Sequence, residues 1–260
     1  RLAALRGGPE HRDRAIGESW ELSTLPGRQS RARGEPLGAL LGAPLPFLAK
    51  LIDTALPLSV QLHPDDDAEG PGKEEAWMIL DAEPGARLWA GLARGVDRAR
   101  LVAVVGRGDD PRDLLAELPA VPGAVILVPA RTVHAIGGGV LLAEIQQPSD
   151  RTLRLFDYGS GRDLHLDAAL ASLDERARPR LWRPGDPPAE LRGKHLRLRI
   201  HRGPSALAHA HAGAPALLTV VQGRCRVDGE LLRAGDLGLL VGDAALDLEV
   251  DALIVVGDAR

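Results

Sequence analysis

Ser59-Val60-Gln61-Leu62-His63-Pro64-Asp65-Asp66 is the stretch on which the fold turns. Side chains of a strand alternate between its faces, so Ser59, Gln61 and His63 share one face while Val60 and Leu62 take the other. The residues before it, 46–58, are mostly apolar, which puts the polar face inside an enclosed interior. Polar groups there are costly unless a ligand, a metal or one another satisfies them. The stretch therefore reads as the wall of a site inside a β-barrel.

Outward from it, short β-type runs dominate: Trp77 to Leu80, Arg87 to Ala90, Val125 to Pro129, Val140 to Gln146, Leu196 to Arg202, Leu217 to Val221 and Leu253 to Val256. Turn signals separate them, among them Pro84-Gly85, Pro122-Gly123, Gly137-Gly138-Gly139 and Asp228-Gly229. That spacing suits a β-sandwich or jelly roll. Helical patterns are few and short: Val96 to Val105, Pro111 to Leu118 with Asp110 as N-cap, and Asp167 to Ala177. The expected architecture is mainly β with a few short helices.

Composition sets outer bounds. The 260 residues are 45% hydrophobic with a formal charge of −4, enough to bury a sizeable core. Lys and Arg are interspersed with Asp and Glu, so there is no nucleic-acid footprint, although a few local cations suffice to bind an anionic small molecule. The single cysteine, Cys225, excludes an intrachain disulfide and fits a reducing cytosol. No apolar stretch reaches the roughly 20 residues of a membrane span, and no signal-peptide pattern opens the chain. A soluble, cytoplasmic protein without membrane or nucleic-acid partners is expected. The chain begins at Arg1, so its initiator and a leading strand are expected to lie outside it.

The Pro- and Arg-rich segment 176–192 is the best boundary, and beyond it a theme repeats. Gly123, Pro129-Ala130-Arg131 and His134 resemble the second motif of cupins, with Arg131 where many carry Gly. Gly235-Asp236-Leu237-Gly238 has the same rhythm, but Leu246 stands where the histidine would be. His209-Ala210-His211 resembles the first cupin motif, yet no glutamate follows at a matching distance, so no second metal site is expected. The reading is two cupin-type jelly rolls: a catalytic domain over 1–160, a helical and Pro-rich linker over 161–195, and a degenerate domain over 196–260.

A cupin metal site draws ligands from two separated motifs. Here they are Gln61, His63, Glu75 and His134, a mixed nitrogen and oxygen set that suits a borderline divalent ion such as zinc and leaves a position for water or substrate. Around them, Ile16 to Ser23, Pro46 to Asp53, Ser59 to Asp66, Gly72 to Trp77, Asp81 to Ala86, Pro129 to Gly137 and Glu144 through Tyr158 closely resemble type I mannose-6-phosphate isomerases, in particular the short bacterial form. The likeness is collinear from Ile16 to Tyr158 and only general beyond it. It implies a zinc enzyme of the cupin fold interconverting mannose 6-phosphate and fructose 6-phosphate. By motif position the family's ligands fall on the same four residues, its catalytic arginine on Arg154, and substrate-pocket positions on Ser59 and Lys73.

Aldose–ketose isomerisation moves a proton between C1 and C2 through a cis-enediolate. It needs a base, a cation for the developing oxyanion and a grip on phosphate. Arg154 suits the enediolate because a guanidinium stays charged at any working pH. Lys73 either binds phosphate or acts as base, and the sequence does not decide. The remaining expectations are bland: Lys50 snorkels from a buried strand, Trp20 and Trp77 pack in the core, and Glu18 pairs with a buried cation. The alternative is a non-catalytic cupin that binds a sugar or sugar phosphate; an iron dioxygenase would more naturally use a histidine at Gln61. The expected assembly is a monomer or homodimer with one zinc per chain.

Overall fold

Two antiparallel sheets face each other across the N-terminal part of the chain in a computed structural model that describes residues 1–6, 16–210 and 213–260. One has six strands in the order Glu18–Leu22, Leu48–Thr54, Val140–Gln146, Glu75–Ala82, Val125–Val128 and Arg180–Trp182. The other has five, in the order Leu153–Phe156, Val60–Leu62, His134–Ile136, Arg87–Leu92 and Leu115–Pro119. A second pair of antiparallel sheets, of five and four strands, is built from residues after 188. The molecule is mainly β, of cupin type, with two jelly rolls in series. Segment 161–195 serves both: Arg180–Trp182 closes the six-stranded sheet against Val125–Val128, while Ala189–Arg192 opens the second roll against Leu196–Arg202.

The core is layered by the two-residue period of the strands. Ile52, Trp77, Ile79, Ile126, Val128, Val140 and Leu142 fill the space between the sheets of the first roll. Their neighbours Ala49, Leu51, Ala76, Met78, Leu127, Leu141, Ala143 and Ile145 face the opposite way and pack on Leu196, Leu198, Leu217 and Val255 of the second roll. Both faces of the six-stranded sheet are thus buried, which is why its strands read as continuous apolar runs. The outer face of the five-stranded sheet, with Val60, Leu62, Val133 and Ala135, is covered by the helices Arg98–Val105 and Leu166–Ser172. A separate cluster around Leu218, Val220, Leu246 and Ile254 forms the inside of the second roll.

The seven β-type runs all fall on strands, four of which extend one to three residues beyond the run at an end. The helix expected over Pro111 to Leu118 does not form. Asp110 caps only a single 3-10 turn, Arg112–Leu114, and the next residues become the edge strand Leu115–Pro119 beside Arg87–Leu92. Pairing with an open sheet edge satisfies that backbone better than a two-turn helix whose nucleation is costly.

Candidate metal centre and its pocket

Three neighbouring strands of the five-stranded sheet set Arg154, Gln61 and His134 side by side: Gln61 is the register partner of both others. Directly paired residues point to the same face, so all three look into the first roll. On the facing sheet Glu144 is in register with Lys50 on one side and Trp77 on the other, and Glu75 lies opposite Gln146. His63 follows its strand by one residue, where its carbonyl accepts from the Arg131 amide at 2.7 Å.

His63, Glu75 and His134 converge. His63 Nε2 stands 3.2 Å from Glu75 Oε2, and His134 Nε2 stands 3.3 Å from Glu75 Oε1. All three residues are buried. Each ring is oriented by its other nitrogen: His63 Nδ1–H donates to the Arg151 carbonyl at 2.8 Å, and His134 Nδ1–H to the Thr132 carbonyl at 2.9 Å. A carbonyl only accepts, so both protons sit on Nδ1 and both Nε2 lone pairs face the carboxylate. Burial holds both imidazoles neutral, pushing His63 down to about 3 with help from the Lys73 charge, and His134 down as well. Gln61 completes the group, its amide nitrogen 3.5 Å from His134 Nε2 and its Oε1 accepting from Ser59 Oγ at 2.7 Å. Rotating the amide by half a turn presents the oxygen instead.

The set fits a divalent ion. Ligands at roughly 2.0–2.1 Å around a tetrahedral zinc lie about 3.3 Å apart, the separation found here between the nitrogens and the carboxylate oxygens. A cation already stands against these lone pairs: Lys73 Nζ donates to His63 Nε2 at 3.1 Å and to Glu75 Oε2. Burial opposes the Lys73 charge, but Glu144 and Glu75 outweigh it and raise its pKa. Burial likewise opposes the Glu75 charge, yet Lys73 and the two histidines hold it well below the usual carboxylate range. Glu144 behaves differently: burial raises its pKa despite Lys73 at 3.5 Å and Lys50 at 3.9 Å.

Gln61, Glu75, Lys73, Lys50 and Glu144 line one pocket of about 340 Å³, together with Ser59, Thr152, Arg154, Arg162, Arg28 and Trp20. Arg154 Nε is buried without a hydrogen-bond partner in the structure described. Arg162, at the rim, is held by Asp157 at 2.7 Å. Lys50 does not snorkel; it is 7% exposed and turns inward, with Glu18 at 3.5 Å. Trp20 is not a core residue either, since Lys50 and Arg28 stack over its ring at 4.5 and 4.7 Å. Trp77 is core, its ring edge-on to His134. Sequence reasoning did not select Lys50 or Glu144 for the site; the only signal was a charge inside each of two apolar runs.

In the second roll, His209 ends the strand Ser205–His209 and lines a smaller pocket of about 280 Å³ with Arg199, His201, Leu207 and Leu246. Leu246 is buried there, and His211 lies outside the described residues. No carboxylate joins these side chains among the described residues that line the pocket.

No family model matches the chain. It is 36% identical over 149 residues to the mannose-6-phosphate isomerase ManA of Bacillus subtilis, covering 53% of this chain and 47% of that protein. It is 32% identical over 182 residues to the mannose-6-phosphate isomerase of Streptococcus mutans, covering 59% and 57%. The chain thus spans about half the length of these curated relatives. Among solved structures, the mannose 6-phosphate isomerase of B. subtilis superposes with a TM-score of 0.71 at 24% identity, covering 93% of this chain and 89% of that one. A mannose 6-phosphate isomerase bound with zinc and yttrium superposes with a TM-score of 0.68 at 16% identity, covering 100% and 95%. Over part of its length the chain is similar in sequence to bacterial mannose-6-phosphate isomerases, and its fold superposes on that of solved mannose 6-phosphate isomerases.

Proposed function

We propose that the chain is a zinc-dependent aldose–ketose isomerase that interconverts mannose 6-phosphate and fructose 6-phosphate. The observation that carries this reading is the ligand-spaced group His63, Glu75 and His134, whose Glu75 lines one pocket with Lys73, Glu144 and Arg154, an arginine whose buried Nε has no hydrogen-bond partner. The similarity to proteins named for this activity supports it. Gln61, His63, Glu75 and His134 are the residues that would hold zinc, which when bound supplies a Lewis acid for the sugar oxygens.

The chain's own groups then divide the remaining work. Arg154 offers a fixed cation to the oxygen where enediolate charge develops. Proton transfer between C2 and C1 needs a group that is not a metal ligand. Lys73 Nζ and the Glu144 carboxylate, 3.5 Å apart, can hold that proton between them. Ser59 and Arg154 bind substrate, and the cationic rim with Arg28 and Arg162 favours its phosphate. A non-catalytic binding module would have no need of an arginine whose buried Nε is left without a hydrogen-bond partner beside a complete ligand set. Phosphorylated sugars do not cross membranes unaided, which supports a cytoplasmic enzyme.

A coupled assay of mannose 6-phosphate conversion tests the proposal. Turnover should vanish with a chelator and return with zinc. Zinc-loaded protein that binds the sugar phosphate but produces no fructose 6-phosphate would establish the binding module instead.

A further inference from the structure

Glu74 sits between Lys73 and Glu75 yet turns away from their pocket, as the residue at the start of a strand must when its successor faces inward. Glu74 is 2% exposed. It accepts from three successive backbone amides of the second roll: Lys194 N to Oε2 at 2.9 Å, and His195 N and Leu196 N to Oε1 at 2.9 and 2.8 Å. Gly193 completes the cradle, because a Cβ at that position would overlap the Glu74 carboxylate. The Glu74 backbone is fixed from its own side as well: its amide donates to Gln147 Oε1 at 2.8 Å and its carbonyl accepts from Gln147 N at 3.0 Å. The other end of the same loop is tied to the second roll through Lys194 Nζ, 2.8 and 2.9 Å from the Asp65 carboxylate. The segment running from His63 to Glu75 is therefore anchored at both ends on residues 193–196.

We infer that the C-terminal jelly roll, which has no complete ligand set of its own, is a positioning element of the metal centre and acts through the Glu74 carboxylate. This rests on the metal reading above. Three charge-assisted hydrogen bonds in a buried setting define one position for the Glu74 backbone. Lys73 and Glu75 are its covalent neighbours, with Cα atoms about 3.8 Å away. Metal ligation tolerates errors of only about 0.2 Å in distance. A shift at Glu74 is thus transmitted to one ligand and to the ammonium beside it.

The test is zinc affinity of the full chain, read by competition with a chromogenic chelator, with folding followed by circular dichroism. Glu74→Gln places an amide NH2 against backbone donors, and Gly193→Ala pushes a methyl into the carboxylate from the other roll. Each should raise the zinc dissociation constant about tenfold to a hundredfold, the usual effect of removing a group that orients a ligand. If Glu74→Gln does not fold, Gly193→Ala carries the same test from the partner side. The double variant Glu74→Ala with Gly193→Ala should bind zinc no worse than Glu74→Ala alone, because the added methyl then has room. Unchanged zinc affinity in the folded variants, whatever happens to their melting temperature, would overturn the inference alone. A wild-type chain that takes up no zinc would overturn the metal reading with it.

Discussion

Replacing Arg154 by Gln should cost the enzyme its rate while sparing its stability. Arg154 Nε is buried without a hydrogen-bond partner in the structure described, and a buried donor left unsatisfied costs about 1–3 kcal/mol. Folding gains little from this guanidinium, so its removal should leave the melting temperature unchanged or raise it by a few degrees. Catalysis loses a preorganised donor, typically worth a hundredfold to a thousandfold in kcat, or about 2.7–4 kcal/mol. An interaction made only in the transition state lowers kcat and kcat/KM together, whereas loss of a phosphate grip mainly raises KM. Arg154→Lys should rescue little, since an ammonium lacks the planar fork. The assays are steady-state kinetics with mannose 6-phosphate and thermal melting of the same samples. A variant that keeps kcat within a fewfold and raises only KM makes Arg154 a binding residue. A melting temperature lowered by several degrees makes it a structural one.

His134→Ala should lose zinc by elemental analysis while the far-ultraviolet signature of the β fold persists; normal metal content would remove His134 from the ligand set. Lys73→Met keeps the length of the side chain without its charge, and should lower kcat by about a hundredfold or more with zinc retained; full activity would leave Glu144 as the sole proton carrier. The metal-free chain should lose stability as pH falls from about 6.5 toward 3. His63 is held down to about 3 by burial, so across that window the unfolded chain binds a proton that the folded chain does not; denaturation midpoints flat over this range would contradict a buried neutral histidine. His209→Ala should leave one zinc per chain, and a halved content would reveal a second site.

The half of the site on the five-stranded sheet was legible because that sheet is apolar on one face only. Ser59, Gln61 and His63 alternate with Val60 and Leu62, and the alternation gives both the strand and the direction in which its polar side chains point. On the six-stranded sheet only Glu75 was. Both faces of that sheet are buried, so Lys50 and Glu144 stand in apolar runs with no alternation to assign them a side, and Lys50 reads as a snorkelling residue. Only the register that pairs Glu144 with Lys50 shows that the two charges neutralise each other inside the roll. Glu74 was hidden differently: beside two charged neighbours it looks like one more solvated acid, and the amides that bury it lie 120 residues further along the chain. Local sequence carries strand faces well and the partners of buried charges poorly, because those partners are chosen by sheet order.

The pairing of buried charges also bears on the proposed reaction. Lys50 and Lys73 balance Glu75 and Glu144, so the inner wall is close to neutral before a metal or substrate arrives. A divalent ion and Arg154 then add three positive charges. A sugar phosphate brings a dianion, which leaves one net positive charge, and moving the C2 proton to Glu144 places the new negative charge on the enediolate beside these cations without changing the total. Within this neutral frame Glu144 is the carboxylate whose protonation burial favours, because its pKa is raised while that of Glu75 is lowered. Two carboxylates flanking one lysine are thus set apart by their surroundings, Glu75 for cations and Glu144 for a proton. Glu144→Gln should accordingly keep zinc and lose turnover, and Glu75→Gln should lose both. Zinc lost from Glu144→Gln to the same extent as from Glu75→Gln would show that the two acids do not divide the work in this way.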